Sequence, residues 1–175
     1  MHIKIEDLTP KLIINFYPSK PIAVQNSALL FTSSTENGIP LLAQNIMAIN
    51  GIKRCLITDE LLAILYEDIN AKEDIIALIL AEIDDYFNEN NFPLVFQQNL
   101  NNITLIEALA DSFIRPTLNR DNGDIKILAY QNDILTIQFT GHCAGCPYAQ
   151  NTLNNVISNC LKRYIPKLKT IQIKE

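Results

Sequence analysis

Hydrophobic and polar positions follow two different periods along this chain, and each change of period marks a predicted element. Near the start, apolar and polar residues alternate at every second position, which is typical of strands with one buried face. Over residues 72–90 apolar residues recur every three or four positions instead, which predicts a long amphipathic helix. The apolar face of that helix comprises Ile75, Ile76, Ile79, Leu80, Ile83, Tyr86 and Phe87.

The pattern predicts a first domain over residues 1–90 with the element order ββαββα. Thr9-Pro10 marks a turn between the first two strands, and Asp59-Glu60 marks a turn between the last two. Residues 18–37 are predicted to be irregular, because Pro, Ser and Thr are scattered through them. In chain order the predicted elements are strands at 1–8 and 12–18, a helix at 39–49, two short strands within 51–67 and the helix at 72–90.

A second domain is predicted over residues 103–175, after an Asn- and Gln-rich linker at 91–102. Its element order is αββαβ, with a hairpin turn at Asn132-Asp133. The predicted elements are a helix at 104–118, strands at 125–131 and 134–140, a helix at 152–165 and a strand at 169–175. The fold class is therefore α/β (α+β), with two small domains.

Composition narrows the class of protein. The chain has 175 residues, of which 48% are hydrophobic, so it can bury a core. Its net charge of −5, with no basic cluster, argues against nucleic acid as a partner. No apolar run reaches the roughly 18 residues that a membrane span needs. The N-terminus lacks the features of a signal or transit peptide, which predicts a cytoplasmic protein.

Candidate chemistry is concentrated in residues 141–150, GHCAGCPYAQ, which contain a close pair of cysteines, Cys143 and Cys146. Pro147 favours the first turn of a helix, which places Cys146 at a helix N-terminus, where the dipole stabilises a thiolate. Gly145 lets the backbone bend tightly and approach a bulky group. In a reducing compartment such a pair suits metal ligation and thiol exchange equally well.

An iron–sulfur cluster normally takes four cysteine ligands, and this turn supplies two. Cys160 lies 14 residues beyond Cys146 on the same predicted helix, about 20 Å away, and falls on its apolar stripe. Cys55 lies in a predicted strand of the first domain. Cys160 and Cys55 are each predicted to be a buried core thiol. A second copy of the chain, related by a two-fold axis, is the simplest source of two further ligands.

From residue 105 onward the chain resembles the NifU C-terminal (Nfu) domain of iron–sulfur cluster scaffold and carrier proteins. The resemblance is carried by residues 114–125 (IRPTLNRDNGDI), 134–147 (ILTIQFTGHCAGCP), 152–157 (TLNNVI) and 164–166 (YIP). More loosely, the first domain resembles the N-terminal domain of Nfu proteins, through its I-K-I-E start, its Thr-Pro turn and Lys20-Pro21.

The resemblance implies a carrier rather than an enzyme. Cys143 and Cys146 of two subunits would bridge a [4Fe-4S] cluster in a homodimer, receive it from upstream assembly proteins and pass it to apo iron–sulfur clients. The first domain, which holds no candidate site residue, is expected to dock partners. Neither nucleic acid nor membrane is expected as a partner.

Departures from the family pattern concern the turns around the site. Asn122 stands where the family's D-G-G-D turn has its first glycine, and Asn tolerates left-handed backbone better than most residues. Asp121 and Asp124 are expected to cap this turn. His142 is expected to be an exposed loop residue rather than a ligand. Arg115 either balances an anionic cluster or lies at a solvated helix end.

Two alternatives to the scaffold remain open. A thioredoxin-like dithiol oxidoreductase also places its CxxC pair at a helix start, but here a hairpin precedes the pair and no aromatic residue stands before Cys143. A structural zinc site completed by four thiolates across a dimer is the other alternative, and zinc is able to compete with a cluster for the same ligands.

Overall fold

A computed structural model describes residues 2–35, 38–89, 93–96, 103–144 and 156–174. The chain divides into two compact units, Met1–Gln98 and Asn99–Glu175. Each unit combines helices with one sheet, so the predicted mixed α/β class with two small domains is confirmed.

The first unit is built on a five-stranded antiparallel sheet with the strand order β1-β2-β5-β4-β3. β3 differs from the prediction of an irregular stretch at 18–37: its four residues pair along β4 at the sheet edge. The observed order of elements is therefore βββαββα. The strands are β1 (Ile3–Asp7), β2 (Ile13–Pro18), β3 (Ala28–Phe31), β4 (Ile52–Thr58) and β5 (Leu62–Tyr66).

Two helices join this sheet in one hydrophobic core: α1 (Leu41–Ala48) and α2 (Lys72–Glu89), the latter preceded by a 3₁₀ turn at Ile69–Ala71. The amphipathic face predicted for α2 is confirmed. Its centre is buried and its edges are half-buried, as expected for an apolar stripe about 100° wide. The buried residues are Ile75, Ile79, Ile83 and Tyr86, and the half-buried ones are Ile76, Leu80 and Phe87.

Residues 93–96 pack on the first unit, although they fall in the predicted linker. The Leu94 N–H donates to the Ile22 carbonyl at 2.6 Å, and the Leu94 carbonyl accepts from the Val24 N–H at 3.2 Å. The ring of Phe96 lies 6.0 Å from that of Phe31, centroid to centroid. This short segment therefore extends the first unit beyond the end of α2.

The second unit has a three-stranded sheet with the order β6-β7-β8, in which β6 and β7 form an antiparallel hairpin and β8 runs parallel to β7. A helical run precedes the hairpin: α3 (Ile103–Leu109), a π-helical segment (Ala110–Ile114) and α4 (Arg115–Asn119). The remaining elements are β6 (Gly123–Gln131), β7 (Ile134–Gly141), α5 (Ser158–Tyr164) and β8 (Thr170–Ile173).

The π-helical segment has a local cause in the sequence. Pro116 has no N–H to donate to the carbonyl four residues back, which disturbs the regular ladder. The Arg115 N–H bonds instead to the carbonyl of Ala110, five residues back. One residue is thereby accommodated as a bulge within an otherwise continuous helix.

The predicted hairpin turn is confirmed. Asn132 and Asp133 have φ values of +53° and +64°, which is the pattern of a two-residue I′ turn. Along β7 every second residue is buried, namely Leu135, Ile137 and Phe139, so one face of the sheet carries the core. The helix predicted over 152–165 is described only from residue 156 onward, since 145–155 lie outside the described residues.

Within the described segments, no helix is long and apolar enough to cross a membrane.

Candidate functional site

Cys143 lies in a tight turn that begins at the last residue of β7. The Gly141 carbonyl accepts the Ala144 N–H at 3.1 Å, which closes the turn around the cysteine. The Cys143 side chain is half-buried. Cys146 belongs to residues 145–150, outside the described part of the chain, so its place at a helix start stays a prediction.

The thiol of Cys143 rests directly on the backbone of Gly123, the first residue of β6. A β-carbon built on Gly123 would overlap the Cys143 Sγ atom and would lie 3.2 Å from its Cβ. Gly123 is also the register partner of Gly141, so the two ends of the hairpin meet beneath the cysteine. Any side chain at position 123 must therefore displace the thiol.

A second contact ties the two turns together. The Asn122 carbonyl accepts the backbone N–H of His142 at 2.9 Å. Asn122 has φ +54° and Gly141 has φ +61°, so both are left-handed, and a β-carbon at Gly141 would collide with the Asn122 carbonyl oxygen. The prediction that Asn122 preserves the turn through left-handed backbone is confirmed. The D-x-G-D turn and the cysteine turn therefore form one unit.

Arg115 anchors the start of β6 to the preceding helix. Arg115 as a whole is only 8% exposed. Nη2 donates to the Ile125 carbonyl at 3.1 Å and Nε donates to Asp124 Oδ1 at 3.2 Å. Nη1 lies 2.6 Å from Asp111 Oδ1 and 2.8 Å from Glu107 Oε2. The acceptors of these bonds lie on α3, the π-helical segment and the strand that carries Gly123.

The charge of Arg115 is already committed to this network. Burial of the guanidinium lowers its pKa, but the neighbouring carboxylates of Asp111 and Glu107 outweigh that effect and raise the pKa above its ordinary value. Three carboxylates surround one guanidinium, so the group as a whole is anionic. Of the two roles expected for Arg115, the structure contradicts the solvated helix end. The residue is instead a buried clamp, which holds the helical run against β6.

The predicted capping role is confirmed for Asp124, whereas the bond of Asp121 in this turn comes from its backbone. Asp124 Oδ1 accepts the Ile125 N–H at 2.8 Å in addition to its bond from Arg115. The Asp121 N–H donates to the Leu118 carbonyl at 3.1 Å and closes the end of α4. His142 is exposed, in agreement with its expected loop position.

The other cysteines behave differently from each other. Cys55 on β4 is fully buried, and burial raises the pKa of its thiol strongly, so the prediction of a core thiol is confirmed. Cys160 on α5 is half-buried, so the prediction of a buried core thiol is wrong there. Val156, four residues before Cys160, is 36% exposed. Among the described residues, no group of three or more His, Cys, Asp or Glu side chains could hold a metal ion.

The sequence singles out Cys143 as a candidate ligand, but the groups that the structure packs around its turn were not predicted. The spacing of Glu107, Asp111 and Arg115 at intervals of four residues was a usable signal, since such residues share one helix face. The role of Gly123 had no comparable signal, because it depends on a contact between the two ends of a hairpin.

Comparison with known proteins finds a family match within the second unit. Residues 106–172 match the family described as the NifU-like domain. The "NFU1 iron-sulfur cluster scaffold homolog, mitochondrial" of Drosophila persimilis is 25% identical, over 98% of this chain and 64% of its own length. Its Homo sapiens counterpart is 26% identical, over 98% of this chain and 71% of its own length. "NifU-like protein 4, mitochondrial" of Arabidopsis thaliana is 24% identical, over 98% of this chain and 65% of its own length.

These matches confirm the predicted resemblance to Nfu-type scaffold proteins, with the NifU-like match confined to residues 106–172. The chain spans less than two thirds of the length of the first such relatives, at 64% and 61%. The prediction of a cytoplasmic protein is wrong: the relatives that cover this chain are named as mitochondrial proteins and point to that compartment instead.

Proposed function

We propose that this protein is an iron–sulfur cluster scaffold and carrier, not an enzyme. It holds a [4Fe-4S] cluster as cargo between two subunits, each contributing Cys143 and Cys146, and transfers it to apo iron–sulfur proteins. The observation that carries the proposal is the fixed position of the Cys143 thiol at the end of the hairpin. Two turns with left-handed residues hold it, and it packs on a glycine that has no room for a side chain.

A fixed, half-exposed thiol fits this role. Because Cys143 is held by the turn between Gly141 and Ala144, little conformational freedom remains to be lost when the cargo binds. Because the thiol is only half-buried, a second subunit and an incoming client can both reach it. A fully buried thiol such as Cys55 cannot be reached in this way.

Two subunits are invoked because the cluster needs four thiolates. Cys55 lies in the sheet of the first unit with a strongly raised pKa, so it does not supply a thiolate near neutral pH. Cys160 lies 14 residues beyond Cys146 along the chain, on α5. A second CxxC pair from an identical chain supplies the missing ligands with a symmetric interface.

Transfer follows from ligand exchange at iron. An incoming client thiolate forms a new Fe–S bond while the bond to one scaffold cysteine breaks, and the released thiolate takes up the proton that the client thiol lost. No electron is gained or lost, so the step needs no oxidant or reductant. Repetition at each iron site moves the intact cluster to the client.

The fold of the second unit disfavours the dithiol oxidoreductase. The cysteine turn follows an antiparallel β6–β7 hairpin, whereas a thioredoxin-like motif follows a βαβ arrangement. Zinc remains a competitor for the same thiolates, because four cysteines across a dimer also satisfy a tetrahedral site.

In this proposal the two domains have different roles. Residues 103–175 hold the cargo, and residues 1–90 dock the clients and the upstream assembly proteins.

Anaerobic reconstitution with iron and sulfide, followed by transfer to an apo-ferredoxin, tests the proposal. The protein is expected to turn brown and to lose its colour to the apo-ferredoxin. Cys143→Ala and Cys146→Ala should each abolish loading, whereas Cys160→Ala, the matched control on the following helix, should load normally. A protein that stays colourless, or that loads equally in the Cys143→Ala variant, contradicts the proposal.

A further inference from the structure

The first unit contains a groove between α1 and α2 that the proposed cargo site does not use. Its volume is about 410 Å³, within the range of ligand-binding clefts. We call it the α1–α2 groove. Its floor is formed by Leu42, Tyr86 and Leu94, and its rim by Leu41, Glu82, Asp85 and Glu89.

The rim carries an exposed apolar side chain. Leu41, the first residue of α1, is 65% exposed, although its neighbour Leu42 is buried in the core. A leucine exposed beside an apolar cleft enlarges the hydrophobic surface that a partner can cover. The groove is therefore suited to an apolar side chain from outside the chain.

The opposite rim is acidic. Glu82, Asp85 and Glu89 follow one another at intervals of three and four residues along α2, so they share one helix face. No basic residue is present in the last turn of α2, where cations normally offset the negative end of the helix dipole. Among the residues that the structure describes, no Lys or Arg lines the groove.

The carboxylates of Asp85 and Glu89 lower the stability of α2, since they add like charge to the negative end of the helix dipole. Glu82 accepts a hydrogen bond from the Asn45 side chain at 3.0 Å, which links α2 to α1 across the groove. Within the described part of the chain, no Lys or Arg pairs with Asp85 or Glu89. A cationic partner would relieve this unfavourable arrangement.

We propose that the α1–α2 groove docks a basic amphipathic segment of a partner protein. An apolar side chain enters between Leu41 and the floor, and lysines or arginines of the same segment meet Asp85 and Glu89. A second copy of this chain is disfavoured, because it carries the same acidic rim and a net charge of −5. Nucleic acids and anionic membranes are repelled for the same reason. Naming the partner as a cluster client rests on the proposed function; the docking chemistry does not.

Amide chemical shifts of the ¹⁵N-labelled full chain test this inference. The probe is a short synthetic peptide of leucine and lysine in amphipathic helical order, and its comparison is the same peptide with glutamate in place of lysine. The leucine–lysine peptide is expected to shift amides of residues 41–45, 82–89 and 94, and to weaken in affinity as salt is raised. The leucine–glutamate peptide should cause no such shifts.

Two double variants with equal changes of charge separate the groove from general attraction. Asp85→Asn with Glu89→Gln removes two charges at the groove, and Glu73→Gln with Asp74→Asn removes two at the other end of α2. The first pair should weaken peptide binding about 5- to 10-fold and the second pair less than about 2-fold. Leu41→Ser, which changes no charge, should also weaken binding by several fold.

Equal losses in the two double variants, shifts that map outside the groove, or no binding would each overturn the inference. In reconstituted protein, Asp85→Asn with Glu89→Gln should slow transfer to a client that presents such a segment and leave loading unchanged. Failure of loading in the unaltered protein contradicts the proposed function instead, and the peptide titration on the apo form is unaffected by it.

Discussion

The Cys143 Sγ atom occupies the space that a β-carbon on Gly123 would fill. The two residues are 20 positions apart in the chain and are brought together because Gly123 pairs with Gly141 at the open end of the β6–β7 hairpin. The backbone of one turn thus forms the surface on which the thiol of the other turn rests. This contact defines where a cargo held by Cys143 must lie.

Gly123→Ala should therefore impair the site by displacing the thiol. The φ angle of Gly123 is not left-handed, so the substitution adds a steric overlap and no backbone strain. We expect a loss of about 1–3 kcal/mol in the free energy of unfolding, the usual cost of overpacking, and a marked loss of cluster loading. Urea denaturation and iron analysis after reconstitution measure the two effects.

Gly38→Ala is the matched control for that variant. Gly38 has φ +75°, but a β-carbon there meets no atom of the described residues within 4 Å. It should cost about 1 kcal/mol through backbone strain and leave loading unchanged. Loading that is equal in the two variants would mean that the Gly123 contact does not position Cys143.

Arg115→Met should destabilise the second unit strongly. The substitution leaves Asp111, Glu107 and Asp124 without their shared cation, and Asp111 is largely buried, with 17% of its side chain exposed. Breaking a buried ion pair from one side costs about 3–5 kcal/mol, and the partial exposure of Glu107 and Asp124 favours the lower end. Chemical denaturation followed by tyrosine fluorescence measures the loss.

Arg120→Met provides the comparison, because Arg120 is exposed at the end of α4 and pairs with no carboxylate among the described residues. It should change the free energy of unfolding by less than about 0.5 kcal/mol. Arg115→Lys should fall between the two, since an ammonium cannot reproduce the forked geometry. Equal stability of the Arg115→Met and Arg120→Met variants would contradict the clamp.

The thiols of the native apo protein should differ in reactivity. Cys55 is fully buried on β4 and burial raises the pKa of its thiol, so alkylation by iodoacetamide should occur only after unfolding. Cys143 and Cys160 are both half-buried and should be alkylated in the folded protein. Peptide mass spectrometry after timed labelling distinguishes them, and native labelling of Cys55 at the rate of Cys143 would contradict its place in the core.

Stability at acid pH should depend on Asp7. Its carboxylate accepts hydrogen bonds from the Thr9 side chain at 2.6 Å and from Lys72 at 3.1 Å, and the Thr9 bond is the main cause that lowers its pKa below the ordinary 3.8. A lowered pKa in the folded state adds stability above the unfolded value, and this stability is lost as the pH falls through the folded value.

Asp7→Asn should therefore lower the unfolding midpoint in urea near neutral pH, and the difference from the unaltered protein should shrink below about pH 4. Asp74→Asn, on the exposed first turn of α2, serves as the comparison. A difference for Asp7→Asn that stays constant from pH 7 to pH 3 would show that the carboxylate charge is not the cause.

Elements with a strong local signal could be predicted from the sequence. The apolar face of α2 recurs at helical spacing, and Asn132-Asp133 is a residue pair that tolerates left-handed backbone. The left-handed Asn122 followed from the same property of asparagine. In each case neighbouring residues contain the information, so no knowledge of distant contacts is required.

Features that depend on distant contacts could not be predicted in this way. β3 has only four residues and owes its place to pairing with β4, and Leu94 is held by backbone bonds to Ile22 and Val24. The contact between Gly123 and Cys143 exists only once the hairpin has closed. Arg115 looked like a helix-end residue because its partners on β6 are brought close only by folding.

The most direct test of the central claim is native mass spectrometry of the reconstituted protein under anaerobic conditions. The account predicts two chains together with a single cluster of about four irons and four sulfides, lost in the Cys143→Ala variant and retained in the Cys160→Ala variant. A single chain without iron, which instead cycles a disulfide between Cys143 and Cys146, would contradict the account and favour a dithiol oxidoreductase.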